Sequence, residues 1–297
     1  GVMLLVGLAL GGLVFAWGRR RDGPLGGLVA LACYALYPAT LGLAGFVGAD
    51  LPLAASAALA MWWFGGYLER GGWRRAALAG LGLGLCLLMK QSGILLLGAY
   101  GVCGLLAGPP RGATWGAVFR RDMPAGLAAC AAAIVVGYGV TGLPWFVEGW
   151  AVFQRLGGKG SVLNYLNGEF SLNGWWHYYA YALLVKTPPP MLALLAGYGW
   201  LFIRRPFDRG RSDILLLAPA LVFFLTLSLG KVQVGLRYLM PAWPFLCVLA
   251  GTAAVRFLAW RSSFAKPALA AGLLWCGVEL ARVFPYYSAY FNDIAGG

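Results

Sequence analysis

The segment ILLLAPALVFFLTLSLGKVQVGLRYLMPAWPFLCVLAG, residues 214–251, decides the fold class. Two apolar runs flank a break that carries Lys231, Arg237 and Tyr238, and Pro241 and Pro244 open the second run. The apolar runs are continuous, whereas strands of a membrane barrel alternate in polarity, so the spanning elements are helices. The whole chain agrees. Of its 297 residues 61% are hydrophobic and 11% charged, with a mean hydropathy of +0.74. No soluble domain hides that much apolar surface, so the sequence reads as an integral membrane protein.

A span needs about 20 apolar residues. On that basis about ten spans are expected: 2–17, 24–46, 51–68, 76–89, 92–107, 123–142, 181–203, 214–229, 239–258 and 267–283. The fold class is then all-α, a polytopic transmembrane bundle in a single domain over residues 1–297. The chain opens inside an apolar run and ends on Gly296-Gly297, which reads as truncation at both ends.

The net charge of +13 marks topology rather than nucleic acid. Sixteen of the 23 basic residues fall in loops 19–22, 69–75, 108–122, 204–213 and 256–266. The positive-inside rule makes that side cytoplasmic. Runs 76–89 and 92–107 are short for spans, each covering roughly 21–24 Å. They read as a hairpin whose tip, Lys90-Gln91-Ser92-Gly93, lines a polar cavity at the outer side. The longest outer loop is 143–180. Within it, LPWFVEGWAVFQRL (143–156) reads as an interfacial amphipathic helix, and GWWHYYAY (174–181) as an aromatic belt. The six cysteines lie inside apolar runs with no CxxC, and His177 is the only histidine. No metal or disulfide is expected, no phosphate cradle of the GxxxxGK[ST] type occurs, and no cofactor is implied.

The outer ends of the spans hold the chemistry. KTPPP (186–190) and LRYLMPAWP (236–244) each open a span running inward. Proline suits a first helical turn, and the positive end of each helix then points outward. Lys186 precedes one start, Lys231 and Arg237 the other. A phosphate site and a headgroup anchor both fit. Asp50, just before Pro52, is placed like an N-cap. Lys90, at the hairpin tip, is costly unless paired or wet. Glu279 and Arg282, three residues apart, read as a structural ion pair. His177 reads as an interface residue with catalysis as the lesser alternative.

Together these stretches resemble the bacterial GT-C glycosyltransferases, similar to the protein O-mannosyltransferases and the aminoarabinose transferases of lipid A. SLGKVQVGLRYLMPAWPFL (228–246), AGFVGADLPLAASAALAMWWF (44–64), GLGLGLCLLMKQSGILLL (80–97), GEFSLNGWWHYYAYALLVKTPPPML (168–192) and YYSAYFNDIAGG (286–297) carry the likeness in order. In the last, Asp293 replaces the usual Glu. The resemblance implies an inverting transferase that moves a sugar from a polyprenyl-phosphate donor to a lipid, glycan or protein acceptor at the outer face of a bacterial plasma membrane. Tyr238 matches the phosphate-binding Tyr, Lys90 the hairpin Lys, and Asp50 the second acidic residue. Lys186, Lys231 and Arg237 are motif members assigned to the lipid phosphate, and His177 and Asn292 are further candidates. The main catalytic acid is expected upstream of residue 1, so this segment alone is expected to be inactive. A transporter or flippase for a lipid-linked or anionic substrate is the competing reading; it calls for midplane charges and an internal repeat.

Overall fold

The computed structural model describes residues 1–158, 162–204, 210–260 and 263–296. The basic loops 204–213 and 256–266 are thus described in part, since 205–209 and 261–262 lie outside, as does Gly297 at the end of the last motif. The described elements are α1 (Val2–Ala35), α2 (Pro38–Ala44), α3 (Asp50–Arg70), α4 (Trp73–Met89), α5 (Leu95–Ala107), α6 (Met123–Tyr138), α7 (Leu143–Gly158), β1 (Asn164–Leu166), β2 (Glu169–Ser171), α8 (Tyr178–Lys186), α9 (Pro189–Arg204), α10 (Arg211–Leu229), α11 (Trp243–Ala259) and α12 (Ala265–Val283), with short 3₁₀ turns between some of them. The architecture is all-α apart from the β1–β2 hairpin, in which Tyr165 pairs with Phe170.

Four described helices are long and apolar enough to cross a membrane: Val2–Ala35, Asp50–Arg70, Arg211–Leu229 and the stretch Leu236–Ala259; a fifth is counted if the pair Trp115–Tyr138 and Val140–Arg155, bent by 90°, is one span. Two causes separate this from ten expected segments. α1 holds two apolar segments joined at a break, where Asp22 and Gly23 leave helical geometry and Pro24 follows. Several of the remaining helices are simply short: α4 has 17 residues, α5 13 and α9 16.

Helices in lipid gain little from hydrophobic burial against one another, so small residues that admit close backbone approach set the packing. α4 lies between α3 and α6, and α1 lies along α11. A Cβ on Gly80 would stand 1.9 Å from the Gly126 carbonyl oxygen, and one on Gly251 would stand 2.5 Å from that of Gly26. Larger knobs fill the space between. Trp17 meets Trp62 at 5.5 Å and Phe245 at 5.8 Å, both edge-on. Tyr37 stacks on Trp243 at 3.8 Å, tying the α1–α2 corner to the start of α11. The six cysteines are free and buried in this packing.

The two ends of the bundle differ in construction. At the basic end, Arg21 donates to Thr252 and Ser212, each at 2.9 Å, and pairs with Asp213. Tyr198 donates to the same Asp213 at 2.6 Å. Arg20 pairs with Glu69. Arg211 donates to the carbonyls of Leu68 (2.7 Å) and Pro109 (2.9 Å). These bonds gather loops 19–22, 69–75, 108–122 and 204–213 at one end, as the charge pattern requires.

Replacement of Gly80 by Ala places a methyl against the α6 backbone and is expected to cost about 1–3 kcal/mol by overpacking. Gly101→Ala, whose Cβ meets nothing within 4 Å, is expected to be neutral or stabilising through helix propensity. Thermal unfolding of the two variants in one detergent compares them directly.

Candidate functional site

The opposite end carries the candidate residues. α4 ends at Met89, and Lys90 turns extended before the 3₁₀ turn Gln91–Ile94. α5 then leaves α4 and packs on α10. This is the expected helix–break–helix, though its arms splay. The break aims the Lys90 ammonium at Asp50, 2.7 Å from Oδ1, with both side chains largely buried. The same ammonium lies 3.9 Å from the centroid of the Tyr238 ring. Arg237 approaches that ring at 5.5 Å and is exposed. Asp50, Lys90, Arg237 and Tyr238, drawn from three separate motifs, therefore meet.

Asp50 departs from its expected local role. It is the first residue of α3, Ala49 holds the N-cap position, and no side-chain cap bond forms. The carboxylate points to Lys90 because an ammonium satisfies it better than one exposed N–H, and because a buried ion needs a partner. Tyr179, fully buried on α8, is a neighbour that sequence reading placed only in the aromatic belt. Its hydroxyl has no hydrogen-bond partner among the described residues. Burial pushes its pKa up, and the nearby Tyr178, Tyr238 and Asp50 add to the rise.

The backbone before Arg237 is held by an amide clamp. Asn164 donates to the carbonyls of Lys231 (2.8 Å) and Ser171 (3.0 Å), and its Oδ1 accepts from the Gln233 N–H at 2.6 Å. Gln233 accepts from the Trp175 N–H at 2.8 Å and donates to the Trp175 carbonyl at 2.7 Å. The Gly235 N–H reaches the Tyr178 hydroxyl at 3.0 Å. The extended stretch then enters the 3₁₀ turn Leu236–Ala242, which leads straight into α11. No motif marked Asn164, and Gln233 lies inside the 228–246 stretch without having been singled out. The only signal was a lone polar residue inside an apolar neighbourhood.

The other candidates sit differently. The Lys231 side chain is exposed while its carbonyl serves the clamp. Lys186 donates to the carbonyls of Ser288 (3.3 Å) and Tyr290 (3.1 Å) and lies 4.0 Å from the Phe291 ring. Its contacts hold the last segment rather than join Lys90. Asn292, fully buried, donates to the carbonyls of Leu184 (2.6 Å) and Thr187 (2.9 Å), fastening that segment to the α8–α9 junction. His177 is half-buried at the N-cap position of α8, edge-on to Trp176 at 5.4 Å. The expected Glu279–Arg282 pair is corrected. Glu279 is buried and accepts from the Tyr290 hydroxyl at 2.8 Å, whereas Arg282 reaches Asp293 at 3.6 Å. Helical spacing allowed the pair, but the returning 286–296 segment offers each residue another partner.

Residues 2–138 match the family model described as dolichyl-phosphate-mannose-protein mannosyltransferase. The fold is similar to that of ArnT from Cupriavidus metallidurans, solved bound to undecaprenyl phosphate, with a TM-score of 0.71 and 18% identity over 92% of this chain and 48% of ArnT. Against the apo state of ArnT the TM-score is 0.61, with 19% identity over 87% of this chain and 46% of ArnT. At that identity the likeness establishes a shared fold. The chain spans about half the length of the structures it matches. No curated protein matches it in sequence.

Asn164→Ala strands the Gln233 N–H and the Lys231 carbonyl, at a cost of about 1–3 kcal/mol for unmet buried groups. Hydrogen exchange is expected to quicken across residues 230–238 and stay unchanged in α4. Equal protection of 230–238 in both proteins would remove the clamp from the account.

Proposed function

We propose that the protein to which this chain belongs is a membrane glycosyltransferase that takes a sugar from a polyprenyl-phosphate donor and inverts the anomeric centre. The observation that carries this reading is the joint placement of Lys90, Asp50, Arg237 and Tyr238 at one end of a bundle with the ArnT fold. In the proposed reaction the acceptor hydroxyl oxygen bonds to the anomeric carbon. The bond from that carbon to the phosphate oxygen breaks, and its electron pair stays on the phosphate. The acceptor proton passes to a carboxylate base. Lys90 and Arg237 offset the growing phosphate charge, and cations in a low-dielectric site do so more strongly than in water. The Tyr238 hydroxyl supplies a further hydrogen bond. Asp50 acts as the second acid and holds Lys90 toward the phosphate.

The same reading takes residues 1–297 as one transmembrane domain of about ten spans. The basic end faces the cytoplasm of a bacterial inner membrane, and the Lys90 cluster faces the periplasm or cell exterior. α7, leaving α6 at 90°, lies on the outer lipid surface. Lys231 and Lys186 border the donor path, His177 flanks it, and Asn292 positions the KTPPP corner. Acceptors include a lipid, a glycan or a protein.

Turnover of a radiolabelled polyprenyl-phosphate sugar by the full-length protein tests this. Lys90→Met is expected to lower kcat by about 10²-fold, as loss of a charge-stabilising group does. Arg237→Ala and Tyr238→Phe are expected to lower it by about tenfold, with membrane expression retained. Unchanged turnover in all three variants would sink the assignment. Uptake of the donor without bond cleavage would favour a transporter instead.

A further inference from the structure

A second feature lies toward the basic end, and none of the Lys90 cluster lines it. A cavity of about 530 Å³ opens between α3, α4, α5 and the segment leading into α6. That volume is typical of a site for a small apolar molecule. Its existence follows from the packing. α4 is committed to α6 through Gly80 and Gly126 and to α3 through Gly82, while α5 swings away to α10. Gly101 and Gly104 on α5 contribute no side chain to fill the gap that remains. Stacked Phe64 and Tyr100, 4.1 Å apart, form part of its wall.

The lining is apolar with one exception, which is self-contained. Asp122 is fully buried, accepts from the Tyr67 hydroxyl at 3.2 Å and pairs with Arg121 at 2.9 Å. It stands at the end of a π-helical turn, Val118–Asp122, a distortion often kept at functional sites. The cavity is flanked by side chains left exposed in the chain, among them Leu97, Leu105, Phe119 and Leu127. In a membrane protein such a rim faces lipid. The segments that line the basic side carry Arg111, Arg120 and Arg121, with Arg74 and Arg75 at the start of α4. Arg111 and Arg120 are exposed, and neither forms an ion pair among the described residues.

We propose that this cavity holds one acyl chain of an anionic glycerophospholipid from the leaflet on the basic side, with the headgroup phosphate held by Arg111 and Arg120. Charge selects the occupant. A zwitterionic lipid would fill the slot but bring a choline cation beside its phosphate and toward the arginines, whereas basic pockets between membrane helices on this side favour anionic headgroups. A dry apolar slot excludes water and soluble polar ligands. The site is separate from the donor site and does not depend on the transfer reaction.

The test is native mass spectrometry of the full-length, delipidated protein with dioleoylphosphatidylglycerol or dioleoylphosphatidylcholine, with polyprenyl phosphate saturating throughout. One phosphatidylglycerol per protein is expected to survive at concentrations where phosphatidylcholine does not. Gly101→Leu, which fills the slot from a position with open space around its Cβ, is expected to weaken phosphatidylglycerol retention at least tenfold. The double variant Arg111→Gln, Arg120→Gln leaves the Asp122 pair intact and is expected to bring phosphatidylglycerol down to the phosphatidylcholine level. Equal retention of the two lipids by the unaltered protein would overturn the proposal. So would full phosphatidylglycerol retention by Gly101→Leu or, should that variant not fold, by the arginine double variant.

Discussion

Lipid supplies no hydrogen bonds, so every place where this chain leaves helical geometry must bring its own partners. The structure can be read as a set of answers to that requirement. At the break inside α1, Arg21 and Asp22 turn inward to Thr252 and the start of α10. At the extended stretch before Leu236, Asn164 and Gln233 supply amides to backbone that no helix serves. At the corner between α8 and α9, Asn292 does the same. Each repair draws on a residue distant in sequence, and the helices are thereby fixed relative to one another.

The proposed chemistry grows from the same requirement. Lys90 occupies the point where α4 stops, and an ammonium there is tolerable only with an acid and an aromatic face beside it. Asp50 and Tyr238 fill those roles in the described state. A site that must neutralise a buried cation already has the composition to receive an anion, since the Lys90 ammonium keeps further N–H donors beyond the one that Asp50 Oδ1 accepts.

Much of this was legible in the sequence. The continuous apolar runs gave the helical membrane class, the arginine-rich loops gave one end of the bundle, and the proline-marked stretches gave the helix starts at Pro189 and Trp243. Spacing said nothing of the meeting of Asp50, Lys90 and Tyr238; only the family resemblance put them in one site. What stayed hidden depends on partners far along the chain. The break inside the 34-residue α1 is not among these, since loop 19–22 already separated the expected spans 2–17 and 24–46. The roles of Asn164 and Gln233 stayed unmarked because their partners are backbone atoms. Glu279 and Arg282 satisfied helical spacing yet found other partners once the 286–296 segment returned. The glycines that open the slot beside α5 look, in the sequence, like the glycines that close the contact between α4 and α6.

The arginine lattice at the basic end has a mechanical consequence. A bundle fastened at one end acts as a set of levers pivoting there. α3 runs from Glu69 at the lattice to Asp50 at the ion pair, a length of roughly 30 Å at 1.5 Å per residue. A tilt of one degree at the pivot moves the far end by about 0.5 Å, which is half the misplacement that costs an active site about 10²-fold. Residues such as Arg20 and Arg211, which never approach Lys90, thus set the alignment tolerance with which Asp50 meets it.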